Sequence, residues 1–479
     1  MKTSFVFLLV IMSVREVLIA QVAQQWVSRY NGPGGFYADE PKAIAVDAAG
    51  NVHVTGQSGG TSGLDYLTVK YSSSGDSLWA KRYQSVLSIS DVARAIRVDD
   101  QGSVYVTGVG NAVYVTIKYS ANGDSLWAKS FSGTAFSGGA WDLFVDPARN
   151  VYVTGGVINS SGNYDFGTVK YRSNGTFVWA AYYNGPGNND DIASKVTVDR
   201  FGNVYVTGTR VVSGSIPYTD IVTVEYDSAG IQRWAKIYDG PGGTNDSPVA
   251  VDSMGNVYVG GTASVASLGT NYVVIKYASN GDSLWARRYN GGTSNSNGAA
   301  AFAIDASGNS YITGVSFSSN TNTDYATLKY SPNGDSLWAS RFLGRSTTST
   351  DVAASLALDN SGNVFVSGTS NSDYGTVEYN SSGVQQWAVY YNGPQGTSDD
   401  PVSIALDPAG NIYVTGRSRG IGTDYDYATV KYSQTTGVHD PPDDVPTEYS
   451  LSQNHPNPFN PTTEIRYQSE GLLTEKSVT

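Results

Sequence analysis

Five aspartates, Asp39, Asp91, Asp191, Asp351 and Asp399, stand eight residues before a second aspartate that opens a Gly-Asn turn, and Asn297 holds the same place once more. Gathered at one mouth of a ring, their oxygens can hold a hard cation such as Ca2+. The same recurrence fits a structural device, because a short carboxylate at a loop-to-strand junction accepts hydrogen bonds from the backbone amides of its own unit. Repeat arrays multiply structural devices and seldom reactive ones, so capping is the expected role.

The residues that are not shared among units are the better guide to contact chemistry. Trp141 is the one tryptophan outside the recurring position, and Arg210, Arg345, Arg417 and Arg419 are cations in segments that vary from unit to unit. An aromatic ring among polar loops suits a carbohydrate or protein surface. A tryptophan is also commonly buried, so Trp141 fits a pore plug or a packing residue as well. The chain has only His53, His439 and His455 and no cysteine, which excludes a histidine triad, a multi-histidine metal site and thiolate chemistry. His53 occupies the slot held by Tyr105, Tyr152 and Tyr205 elsewhere and reads as a packed aromatic. No cofactor is expected. A net charge of −12 argues against nucleic acid, which demands a basic stripe.

These residues sit in an array. Trp26, Trp79, Trp127, Trp179, Trp234, Trp285, Trp338 and Trp387 recur every 48 to 55 residues, and turn aspartates recur with them at Asp47, Asp99, Asp146, Asp199, Asp252, Asp305, Asp359 and Asp407. Each unit contains four short runs rich in Val, Thr, Tyr and Trp, separated by Gly/Asn/Asp turns, and none has helical periodicity. Four-stranded antiparallel blades follow. The last unit stops at Tyr432 without a Trp strand, while the chain opens with an orphan one, Gln25-Trp26-Val27-Ser28-Arg29-Tyr30. The orphan supplies the missing strand, which leaves no open edge. The expected fold is all-β: an eight-bladed propeller over 21–433, closed by the N-terminal strand pairing with the last blade.

The ends read differently. Residues 1–20 carry Lys2, an apolar run from Phe5 to Met12 and small residues at Ala20 and Ala23, the pattern of an export signal too short to span a membrane. Residues 434–447 form a Pro/Asp-rich linker, expected to be stiff and extended. The run Leu451-Ser452-Gln453-Asn454-His455-Pro456-Asn457-Pro458-Phe459-Asn460-Pro461 resembles the opening of the C-terminal sorting domain of type IX secretion substrates, over about twenty residues within 448–479. That resemblance implies contact with the secretion machinery and a secreted or cell-surface location after passage through the periplasm. Only Gln468 to Thr479 follow the first strand, with little strand pattern.

The repeat resembles the bacterial SBBP-type beta-propeller repeat, whose Asp-x-x-Gly-Asn-x-Tyr-x-Thr-Gly core stands at Asp199 to Gly208 and Asp407 to Gly416. The resemblance implies a propeller in a secreted setting and brings no catalytic residues. The Gly-x-x-x-Trp spacing of Gly75 and Trp79 is also similar to the docking repeat of eight-bladed quinoprotein dehydrogenases, where the Trp is architectural. The loops joining second to third strands and those joining blades fall on one face, which is the expected contact surface. The expected function is a non-enzymatic propeller binding an extracellular glycan or protein through that face. The alternative is a carboxylate-dependent polysaccharide lyase or hydrolase.

Overall fold

Each Asp-x-x-Gly-Asn-x-Tyr segment folds into a turn that closes on itself. In blade 4 the Oδ1 of Asp199 accepts from the amides of Phe201 and Asn203 (2.8 and 2.9 Å), and its Oδ2 accepts from Asn203 Nδ2 and the Tyr205 hydroxyl (2.8 and 3.2 Å). Gly202 takes the left-handed position at φ 85° that this turn requires. In blade 3 Arg149 adopts the same conformation at φ 62°, and its Nε donates to Asp100 at 3.0 Å. His53 fills the tyrosine slot of blade 1, wholly buried, with Nε2 3.3 Å from Asp47 and its ring 6.0 Å from that of Trp79.

The computed structural model describes residues 21–33, 38–60, 63–85, 90–133, 138–213, 218–239, 248–265, 269–291, 297–317, 323–346, 349–435, 463–469 and 472–478. Eight four-stranded sheets are present, and chain order runs from inner to outer strand in seven of them. Blade 2, for example, comprises Val92–Val98, Val104–Gly110, Val113–Tyr119 and Ser125–Phe131. Blade 8 takes its inner three strands from Asp399–Leu406, Ile412–Arg419 and Tyr425–Thr435, and its outer strand is Gln21–Tyr30. The expected closure is therefore observed. Across this seam Arg29 donates to the Ser418 carbonyl (2.7 Å) and to Asp426 (2.9 Å).

Neighbouring blades are locked by the recurring tryptophan, which docks on the following blade. Trp79 Nε1 donates to the carbonyl of Ala121 in blade 2 at 3.2 Å, and Lys70 Nζ donates to the same oxygen at 3.2 Å. Six further tryptophans repeat the bond at 3.0–3.2 Å, from Trp26 to Ser73 through Trp338 to Ser381. The ring lies flat against the glycine of that turn: a Cβ on Gly230 would stand 2.6 Å from Trp179 Cδ2. Trp387 faces the seam, where the ends of two strands distant in sequence, Tyr425–Thr435 and Gln21–Tyr30, replace the turn. Apolar clusters accordingly straddle blades, as where Tyr152, Phe166 and Trp179 of blade 3 pack on Val196, Val206 and Val222 of blade 4.

Seven of the inner strands carry a register shift at one equivalent place, between Pro41/Ala43, Ala93/Ala95, Ala140/Asp142, Ala193/Lys195, Ala299/Ala301, Ala353/Ser355 and Pro401/Ser403. The Thr-Gly pair of the repeat makes room for this bulge, since a Cβ on Gly208 would overlap the Ile192 carbonyl oxygen. A β-bulge re-aims the extra side chain. Here the ring repeats that effect around its axis.

The propeller contacts form one unit, Val22–Gln434, and a second unit comprises 1–21 and 435–479. In the second unit Thr463–Ser469 and Leu472–Val478 pair antiparallel, with Ile465 opposite Lys476, so a strand forms where little strand pattern was expected. The export-signal segment, nearly all of the linker and the Leu451–Pro461 run lie outside the described residues. Among the described residues no helix is long and apolar enough to cross a membrane.

Trp179→Ala should lower unfolding free energy by about 3–5 kcal/mol, as for a large aromatic lost from a packed site. Gly230→Ala should also destabilise, because it combines a positive φ with the indole contact; chemical denaturation measures both. Deleting Gln21 to Tyr30 should open blade 8 and cause early melting or aggregation, and an unchanged melting temperature would show another closure. Burial pulls the His53 pKa below 6.5, against the opposing pull of Asp47. Because the unfolded chain then binds the proton more readily, this site's stability is present above about pH 6.5 and falls as pH drops below it. His53→Tyr should remove that acid loss in melts between pH 7 and 5.

Candidate binding face and central channel

The aspartates at the head of five inner strands are buried, from 0 to 2% exposed. Each closes on its own surroundings. Asp39 accepts from the amides of Gly32 (2.5 Å) and Gly59 (3.1 Å) and from the Ser58 hydroxyl. Asp91 accepts from Ser85 and Asn111 (2.6 and 3.1 Å), Asp191 from Gly185 (2.6 Å), Asp399 from Gly393 (2.6 Å), and Asp351 from the Ser349 hydroxyl (2.7 Å). Asn297 does the same with Ser316 and Phe317, and its Nδ2 donates to the Asn290 carbonyl at 3.0 Å. The backbone amides of Asp39, Asp91, Asn297 and Asp399 meanwhile donate to the preceding blade, at Tyr425, Leu64, Thr270 and Ser372. These residues thus tie a joining loop, a hairpin and the blade before. Among the described residues no group of three or more His, Asp or Glu is placed to hold a metal ion.

A second acidic row heads the third strands, and the unit-by-unit reading passed over it. Asp65, Asp220, Asp324, Asp373 and Asp426 are 0 to 7% exposed, and each is clamped by an arginine: Arg82 (2.9 Å), Arg210 (2.8 Å), Arg341 (2.9 Å), Arg345 (2.6 Å) and Arg29 (2.9 Å). Arg210 and Arg345, read from sequence as unshared surface cations, are therefore ion-paired. Arg29, Arg82 and Arg341 each stand three residues after a repeat Trp, a spacing visible in the chain.

Arg417 and Arg419 lie in the second strand of blade 8 and stack on Tyr425, with guanidinium carbons 4.6 and 4.9 Å from its ring centre. Arg417 bridges Asp400 of blade 8 (2.9 Å) and Glu40 of blade 1 (3.1 Å), and Glu40 also takes Lys42 at 2.9 Å. Burial pushes the Glu40 pKa up, but Lys42 and Arg417 outweigh it and hold the carboxyl below its ordinary value. Arg419 is the most loosely held, 3.9 Å from Asp424.

Trp141, expected in a loop between blades, lies inside the inner strand Gly138–Val145 as its bulge residue. It lines the central channel, a cavity of about 540 Å³ whose walls include inner-strand residues of all eight blades. The bulge places Lys42, Arg94 and Trp141 at one level on adjacent blades, with Ala300, Ala354 and Val402 across from them. Arg94 stacks on the indole with its guanidinium carbon 3.5 Å from the ring centre. Beside them Asp142 accepts from Arg97 (3.2 Å) and from the amide of Val196 in blade 4 (3.2 Å). The structure thus brings Trp141 to the channel, joins Arg417 to its rim through Glu40 and Lys42, and leaves Arg210 and Arg345 on blades 4 and 7.

Three stretches of the chain match the SBBP family of beta-propeller repeats. They are residues 178–209, 337–375 and 386–425. Each stretch starts in the outer strand of one blade and runs into the next, so the matched unit is offset from the structural blade and ends before the outer turn on which a Trp docks. No curated protein matches the chain. Among solved structures, a protein from Lactobacillus plantarum is 14% identical at TM-score 0.44, covering 70% of this chain and 94% of that one. Drosophila Plexin A, in complex with Semaphorin 1b, is 11% identical at TM-score 0.41 over 86% and 88% of the two chains. An ulvan lyase, a polysaccharide lyase, is 10% identical at TM-score 0.42 over 83% and 95%.

Burial raises the pKa of Asp39, Asp351 and Asp399 above ordinary, and that of Asp191 to about 6. The folded state therefore binds this proton more tightly than the unfolded chain, and the stability tied to Asp191 is full below about pH 4 and lost as pH rises through about 6. Asp191→Asn should stabilise the fold at pH 7, by at most about 3 kcal/mol, and converge with the parent near pH 4. Asn297 already serves this position in blade 6. Chelator should leave both melting temperatures unchanged, whereas a midpoint that climbs with calcium would reinstate a cation site.

Proposed function

We propose that this chain is exported and acts as a non-enzymatic binding propeller that engages a glycan or a protein surface through its loop-bearing face and channel mouth. The observation that carries this reading is a division of labour among side chains. The repeat residues are engaged in building and locking blades, whereas the residues that differ between blades gather on one face, with Trp141, Arg94, Lys42 and Arg417 at or beside the channel mouth.

The carboxylates at that mouth favour binding over acid-base chemistry. Glu40 is held by two cations, Asp400 by Arg417, and Asp142 by Arg97 and a backbone amide. A general acid needs a raised pKa and access to substrate; Glu40 is displaced the other way, and the aspartates whose pKa is raised are buried against their own blades. Export through the N-terminal segment and contact of the C-terminal run with the secretion machinery complete the proposal. The opposite face carries short, uniform turns such as Ala278 to Asp282, which close hairpins.

The full chain should bind on a glycan array or capture a protein partner without releasing reducing or unsaturated sugar ends. Arg417→Ala should weaken that binding, and Asp282→Ala on the opposite face should leave it unchanged. Release of sugar ends from any bound polysaccharide, or loss of binding confined to Asp282→Ala, would overturn the reading.

A further inference from the structure

Six of the seven register-shifted residues line the channel, and their chemistry is lopsided. The walls of blades 1, 2 and 4 contribute Lys42, Arg94, Arg97 and Lys195, against the single acid Asp142 of blade 3, in a protein whose net charge is −12. The walls of blades 5 to 8 contribute only uncharged residues, chiefly small, with the hydroxyls of Ser355 and Ser403 among them. Lys42 and Arg97 have carboxylate partners in Glu40 and Asp142.

Arg94 differs. It makes no hydrogen bond or ion pair among the described residues; Nη1 is closed off from solvent without an acceptor, and the face of the guanidinium rests on Trp141. Desolvation pulls its pKa below the ordinary value, as expected for a charge without a partner. A partly buried cation left uncompensated is costly to a fold. With Nη1 shut off from solvent, the Nε–Nη2 edge of the stacked guanidinium is the one left to hold a carboxylate in bidentate fashion.

We propose that the channel is a carboxylate-binding site of monosaccharide size, in which Arg94, carried on the Trp141 indole, pairs with the anionic group of a uronate residue of an acidic saccharide. The inference rests on the binding reading above and names its ligand class. The cationic wall is confined to one side, so it matches one anionic group rather than a row of them, which disfavours an extended acidic peptide. The small residues and hydroxyls opposite leave space and hydrogen-bonding groups for a sugar ring.

The test is calorimetric titration of the full chain with glucuronate, with glucose as the neutral comparator and hexaglutamate as the acidic-peptide arm. Glucuronate should bind saturably and more weakly as salt rises, and glucose should not bind. Arg94→Gln should weaken glucuronate binding by roughly tenfold or more, the expected loss of a charge-assisted pair. Arg94→Lys, which keeps the charge but not the fork, should fall between, and it decides the matter if Arg94→Gln melts early. Arg233→Gln, on the opposite side of blade 4, should match the parent. Equal binding of glucose, indifference to both Arg94 variants, or tighter Arg94-dependent binding of hexaglutamate would each overturn the proposal. Array binding that ignores Arg94 would sink this inference and leave the binding-face reading standing, whereas glucuronate binding insensitive to Arg417→Ala, with a blank array, would do the reverse.

Discussion

The structure depends on a single contact made over and over: an indole N–H donated to a carbonyl of the next blade's outer turn, with the ring lying against that turn's glycine. Because the donor sits on one blade and both receiving groups on the next, each lock sets the spacing and tilt of a neighbouring pair. Seven such locks hold the inner strands in a ring. The lysine of the third strand reinforces six of them on the same oxygen. In blades 4 and 7 glutamates stand in its place, and Glu378 is instead bonded to Gln434 near the seam.

The ring then governs what the centre can present. Close approach of the bulged inner strand over the Thr-Gly of the second strand is possible only without a Cβ, so the same glycine that completes the repeat also turns one side chain toward the axis in six of the eight blades. Where that side chain is Ala or Val the channel is merely lined. Where it is Lys42, Arg94 or Trp141 the channel acquires chemistry. Repetition supplies the geometry and three departures from it supply the character.

Blade number, strand order and closure were legible in the chain because the motif is periodic and its turn chemistry is local: Asp199, Gly202, Asn203 and Tyr205 satisfy one another within seven residues. Pairings across strands and blades were harder to read. Arg345 and Asp373 are 28 residues apart, Arg417 and Glu40 are 377 apart, and only the folded register brings them together. Trp141, read as a loop residue or as a pore plug, lines the channel as the second reading has it, and its strand placement was hidden for a related reason. A bulge breaks the two-residue alternation by which a strand's facing is inferred, so a residue assigned to a loop proved to be strand, aimed down the axis. The aspartates at the heads of the inner strands find their partners, backbone amides and serine hydroxyls, only a few residues or one hairpin away.

The seam has a mechanical meaning. The strand that begins the ring and the strand that ends it are neighbours in one antiparallel sheet, so the end of the ring's last strand lies beside the start of its first. A pull between those two ends loads the ladder one hydrogen bond at a time, as a zipper opens, rather than shearing all of its bonds together. Any tether that drew the two ends apart would therefore act on the weakest mechanical mode of blade 8.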